Sequence, residues 1–129
     1  MIKFNERSVM FQYFINEYML PKTKVLVIGF YDIKLKNMIQ FIDSEVFFIK
    51  ETSEYGIDIV CNYKNVPFED NSFDIVINLS GINFKYEFLK TGGSLFINYL
   101  QVQDFYKNYP DINKILYNLN ETDYIVLKK

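Results

Sequence analysis

Lys24-Val25-Leu26-Val27-Ile28-Gly29-Phe30 (KVLVIGF, residues 24–30) is the stretch that decides the fold. Val25 to Ile28 are apolar without interruption, and three of the four are β-branched. A run with no polar alternation suits a strand covered on both faces, the situation of a strand inside a parallel sheet. Gly29 at its end is the residue type that lets a chain turn sharply out of such a strand.

Outward from this strand the pattern repeats. Asp32 to Ile42 reads as a helix with Leu35, Met38, Ile39 and Ile42 on one face. Further strands are expected at Glu45–Lys50 (EVFFIK), Ile57–Cys61 (IDIVC), Phe73–Leu79 (FDIVINL), Ser94–Tyr99 (SLFINY) and Asp123–Lys128 (DYIVLK). Upstream, Asn5 is the expected N-cap of a helix running to about Leu20, where Pro21 stops it. Met10, Phe11, Phe14, Ile15 and Tyr18 give that helix a broad aromatic face, suited to a sheet or to a partner. Gln103 to Leu119 reads as helical at both ends, with Pro110 starting, kinking or splitting it.

Strands alternating with helices predict an α/β fold. The expectation is a single three-layer Rossmann-like domain over residues 1–129, with an N-terminal helix at about 5–20 and a core at 24–129. Its sheet is expected to be mostly parallel, of about six strands, with helices on both faces. The direction of the last strand is left open by the pattern.

Composition narrows the function. A chain of 129 residues with 50% hydrophobic and 19% aromatic content has material for one core and no second. A net charge of -2 supplies no general attraction to nucleic acid or to an anionic membrane. No stretch approaches the roughly 20 apolar residues of a membrane span. Cys61 is the only cysteine, which rules out an intramolecular disulfide and suits a cytoplasmic location. There is no histidine, so histidine bases, histidine-activated nucleophiles and histidine metal sites are excluded. No loop has calcium-ligand spacing, and no metal is expected.

Three segments, in order, resemble the class I S-adenosylmethionine-dependent methyltransferases. KVLVIGF at 24–30 is similar to the family's first strand and the start of its glycine-rich loop. NVPFEDNSFDIVINLS at 65–80 is similar to the turn and fourth strand, with Pro67-Phe68 and the entry Ser72-Phe73-Asp74. FLKTGGSLFI at 88–97 resembles the family's Leu-Lys-Pro-Gly-Gly turn and fifth strand, with Thr91 in place of proline. The likeness covers nearly the whole chain. It implies S-adenosylmethionine as cofactor, held beyond the carboxyl ends of the strands.

The family's loop reads Gly-x-Gly-x-Gly after an acidic residue, and here only Gly29 remains. Tyr31 and Ile33 stand at the second and third glycines, and Val27 stands at the acidic position. Lys50 falls where the family places a ribose-binding carboxylate, and lysine has no acceptor. Glu51, one residue on, is the alternative acceptor. Asn62 falls where the family sets an aspartate against the adenine amino group, and its amide oxygen can accept the same bond. The cofactor-binding candidates implied by the resemblance are therefore Gly29, Tyr31, Asp32, Glu51, Asn62 and Asn78. Asn78 and Ser80, with Tyr31 and Asp32, would line the mouth, and no catalytic set is recognisable among them.

These departures predict a methyltransferase-fold domain impaired in S-adenosylmethionine binding, a pseudoenzyme acting in protein interaction or regulation. Its expected partner is another protein or a second copy of itself. The alternative is a minimal active methyltransferase of unknown substrate. A different Rossmann-like nucleotide binder is disfavoured, because neither Gly-x-G-x-x-Gly nor a phosphate-binding Gly-Lys-Ser/Thr loop is present.

Overall fold

The computed structural model describes residues 1–79, 86–99 and 115–129. In chain order the elements are β1 (Ile2–Phe4), α1 (Arg7–Tyr18), β2 (Lys24–Ile28), α2 (Ile33–Phe41), β3 (Glu45–Lys50), β4 (Ile59–Val60), β5 (Phe73–Asn78), β6 (Leu89–Asn98), β7 (Ile115–Leu119) and β8 (Thr122–Lys128). All described strands form one sheet in the order β1-β7-β8-β6-β5-β2-β3-β4. The fold is α/β with a mixed sheet. Pairs β1–β7, β2–β3, β2–β5, β3–β4 and β5–β6 are parallel. β8 is antiparallel to both its neighbours.

The KVLVI segment is central, flanked by β3 and β5, and Val25 to Ile28 are fully buried. Side chains alternate across it as a strand requires. Val25 and Val27 enter a core with Phe48, Ile75, Ile77, Phe96 and Tyr117, covered by Met10, Phe11, Phe14 and Ile15 of α1 and Leu35 and Ile39 of α2. Leu26 and Ile28 enter the opposite core with Ile49, Val76, Leu95, Ile97, Ile125 and Leu127. There the described cover consists of Tyr86 and Phe88, with Val66 and Phe68 packed beside them. Both described helices thus serve the same face.

Several expectations are corrected. The sheet has eight strands among the described residues, not about six. Ile2–Phe4, assigned no element from the sequence, is an edge strand paired with β7. The first helix begins at Arg7 and ends at Tyr18, so Glu6, not Asn5, holds the N-cap position. Ile115–Leu119, expected as the end of a helix, is strand β7, because pairing with β8 satisfies its backbone outside any helix. The rest of that expected helix lies outside the described residues.

The Gly92-Gly93 turn sits inside β6, where the register against β5 shifts between Phe73 and Ile75. Gly92 has φ 85, and a Cβ on Gly93 would lie 2.7 Å from the Asp74 carbonyl oxygen. This bulge therefore needs one glycine for its dihedral and the next for close backbone approach.

Tyr117 of β7 is wholly buried, and among the described residues its hydroxyl meets no partner at full hydrogen-bonding geometry, with the Tyr18 hydroxyl near enough for a weak contact only. Burial, reinforced by the nearby Tyr18 and Tyr13 hydroxyls, pushes its pKa well above the usual tyrosine value. Tyr117→Phe should therefore raise stability by about 1 kcal/mol, the cost of an unsatisfied buried hydroxyl. Urea unfolding checks this. A loss of stability would show that the hydroxyl has a favourable partner.

Candidate functional site

The strand order reverses between β2 and β5, whose neighbours lead in opposite directions through the chain. In an open α/β sheet the crevice outside the carboxyl ends of the strands at such a point is where ligands bind. Gly29 and Asn78 are close neighbours there, since Asn78 is the register partner of Ile28, the residue before Gly29. Gly29 has φ 92 and donates its N–H to the Ile49 carbonyl at 2.8 Å. That dihedral is the conformational demand for which glycine is kept.

The rest of the β2–α2 loop is tied to its surroundings residue by residue. Phe30 stacks on Phe11 of α1, with ring centroids 6.2 Å apart. Tyr31 turns toward the loop between β3 and β4. Its ring meets Phe48 at 5.0 Å and Tyr55 at 5.7 Å, both edge-on. It also covers Gly56, where even a methyl group would fall inside the Tyr31 ring's van der Waals surface. Gly56 has φ 85, so the loop that receives the tyrosine is also shaped by glycine.

Asp32 has two structural duties. Its Oδ1 accepts from the Leu35 N–H at 3.0 Å and so caps α2. Its Oδ2 pairs with Arg7 Nη2 at 2.9 Å. The Arg7 guanidinium also lies over Phe30, 5.3 Å from the ring centroid. Ile33 begins α2 and is half exposed. A cavity of about 580 Å³ opens between the first turns of α1 and α2, lined by Arg7, Tyr31, Asp32 and Lys34 among others. None of Glu51, Asn62 or Asn78 lines it.

On the other side of the crevice, Lys50 closes β3 and its Nζ pairs with Glu54 Oε1 at 2.6 Å. Glu51 is exposed just beyond. Burial pushes the Cys61 thiol above its usual pKa, and the Glu51 carboxylate adds to the rise. The Tyr63 phenol is likewise raised by burial, against a hydrogen bond with the Glu51 backbone that lowers it, while the Glu51 charge adds a smaller rise. Glu51 therefore stands close to the segment that carries Asn62. Asn62 is exposed and its Oδ1 accepts from the Lys64 N–H at 2.9 Å, which makes it a turn residue in this arrangement.

Asn78 is 0% exposed, and its Nδ2 donates to the Tyr86 hydroxyl at 2.8 Å. Ser80 lies outside the described residues. Gly29, Tyr31, Asp32 and Asn78 thus gather at one end of β2 and β5, while Glu51 and Asn62 share the neighbouring loops. Arg7, Tyr55, Gly56 and Tyr86 also belong to this region and were missed from the sequence. Only Gly56 carried a local signal, a glycine in a polar loop; the others meet the loop through tertiary contacts. Among the described residues no group of three or more His, Cys, Asp or Glu could hold a metal ion. Among them, too, no helix is long and apolar enough to cross a membrane.

No protein-family model matches the chain, and no curated protein matches it either. Solved structures do. A 1,6-didemethyltoxoflavin-N1-methyltransferase from Burkholderia thailandensis, solved with S-adenosylhomocysteine, is 10% identical with TM-score 0.62, over 93% of this chain and 74% of its own. An S-adenosylmethionine-dependent O-methyltransferase from Thermotoga maritima is 12% identical with TM-score 0.61, over 95% and 64%. MycE, a methyltransferase of mycinamycin biosynthesis solved with Mg and S-adenosylhomocysteine, is 14% identical with TM-score 0.57, over 98% and 49%. The chain spans only about half the length of the last. At these identities the likeness establishes the fold: this is a class I methyltransferase-like fold.

Proposed function

We propose that this methyltransferase-fold domain is impaired in S-adenosylmethionine binding and serves as a non-catalytic protein-interaction or regulatory domain. The observation that carries this reading is Tyr31. Where a glycine would leave backbone open to a ligand, its ring is packed onto Gly56, Phe48 and Tyr55. Three further features point the same way. Val27 is buried in the core, Lys50 is paired with Glu54, and the Asp32 carboxylate is shared between a helix cap and Arg7. In this reading the residues at the crevice do not fit the cofactor, and no methyl-transfer step is derived through it.

A protein partner or a second copy of the chain is the proposed ligand instead, in a cytoplasmic setting. Phe41 and Tyr55, each 90% exposed, are the large apolar side chains that such a contact would cover. The test is calorimetric titration with S-adenosylmethionine and S-adenosylhomocysteine. The expected result is no heat up to millimolar ligand. Micromolar binding, about -8 kcal/mol, would overturn the reading.

Micromolar binding would instead favour a minimal active methyltransferase. That second reading draws on Gly29, which keeps φ 92, and on Glu51, which stands near the Asn62 segment. Transfer of labelled methyl groups to cell extract would then identify the acceptor class.

A further inference from the structure

Each residue of the β2–α2 loop beyond Gly29 is held from outside the loop, and two of the three are held by the same helix. Phe30 is stacked on Phe11, and Asp32 is paired with Arg7, one helical turn earlier on α1. The Arg7 guanidinium joins the two contacts, because it lies over both Phe30 and Phe11 while it pairs with Asp32. The helix that carries Arg7 follows β1, a three-residue strand at the sheet edge that, among the described residues, is joined to the sheet through β7 alone. Short edge pairing of this kind is the part of a sheet most easily detached.

We propose that Arg7 is the pin of a clasp by which the N-terminal β1–α1 segment holds the crevice loop closed. While Arg7 is paired, Phe30 and Asp32 are fixed, and Tyr31 between them stays on Gly56. Displacement of the first turn of α1 frees Asp32, takes the guanidinium off Phe30 and leaves Phe30 held by Phe11 alone, which lets the tyrosine leave. The crevice is then governed by an element that precedes the core in sequence, which gives a partner bound at the N-terminal segment a route to it. The proposal rests on the reading of an occluded crevice for its functional meaning, but the mechanical coupling is tested by itself.

Two variants separate the clasp from simple loss of structure. Asp32→Asn keeps a side-chain oxygen for the Leu35 N–H, since asparagine caps helices as well as aspartate, and removes the ion pair together with the smaller interaction of the charge with the helix N-terminus. Arg7→Gln removes the same pair from the other side, together with the guanidinium over Phe30. Amide hydrogen exchange followed by mass spectrometry reads the loop directly. Each variant is expected to speed exchange at the hydrogen-bonded amides of Gly29, Leu35 and Lys36, which bracket the loop, about ten-fold, which corresponds to about 1.4 kcal/mol. The double variant should go no further than Arg7→Gln, and exchange in β2 and β5 should not change.

A silent Asp32→Asn, an additive double variant, or acceleration spread through β2 and β5 would each overturn the clasp. Titration of the unaltered protein with S-adenosylhomocysteine is read separately. Micromolar binding there would remove the occluded-crevice reading and leave the exchange result to decide the clasp.

Discussion

Phe96→Ala is expected to lower stability by about 3–5 kcal/mol, the range for emptying a buried phenylalanine site. Phe96 lies on β6, fully buried, where the α1 face of the sheet meets its helix. Its ring touches Phe14 edge-on at 4.8 Å, Tyr117 at 5.5 Å, Tyr124 at 6.0 Å and Phe11 at 6.3 Å. Four rings cannot close on an alanine, because aromatic side chains are rigid and these come from α1, β7 and β8. The cavity therefore remains, and its cost adds to the lost transfer free energy. Such a loss is a large fraction of the about 5–15 kcal/mol that holds a typical domain together. Urea unfolding monitored by tyrosine fluorescence checks it. A loss below about 1 kcal/mol would show that α1 does not pack as described.

Gly56→Ala is the second large effect and bears on the crevice. At φ 85 an alanine costs about 1–2 kcal/mol in backbone strain. Its methyl group would also overlap the Tyr31 ring, whose displacement adds about 1–3 kcal/mol. The expected loss is about 2–5 kcal/mol in the unaltered background. With Tyr31→Ala already in place, only the backbone part should remain. The double-mutant cycle isolates that difference as a coupling energy. Additive effects would mean that the Tyr31 ring does not rest on Gly56 in solution, and the occluded-crevice reading would lose its main support.

Much of this was legible in local sequence. Val25 to Ile28 was expected as a doubly covered strand and is one, and Glu45–Lys50 is a strand over the residues expected. The helix expected from Asp32 to Ile42 runs from Ile33 to Phe41, with Asp32 as its N-cap. Gly29 was legible too, since an apolar strand ending in glycine announces a positive φ. The site was less legible. Asn62 and Asp32 were read as ligand contacts by position, yet each spends a side-chain oxygen on a nearby backbone N–H. Arg7 was not singled out from the sequence, because its partner Asp32 is distant in sequence and near only after folding.

By itself, then, the sequence determined many of the local states: apolar β-branched runs as covered strands, helical spacing as α1 and α2, and the positive φ of Gly29 and Gly92. It determined the chemistry that is missing as well, since no histidine is encoded and a single cysteine is. Tertiary structure alone decided that Ile115–Leu119 is a strand, that β8 runs against its neighbours, and that Ile2–Phe4 joins the sheet edge. It also decided that Tyr31 lies on Gly56 and that Arg7 meets Asp32. The physical reason is the same in each case. Backbone pairing and side-chain contact between distant segments depend on which partners the folded chain brings together, and local periodicity carries no record of the partner.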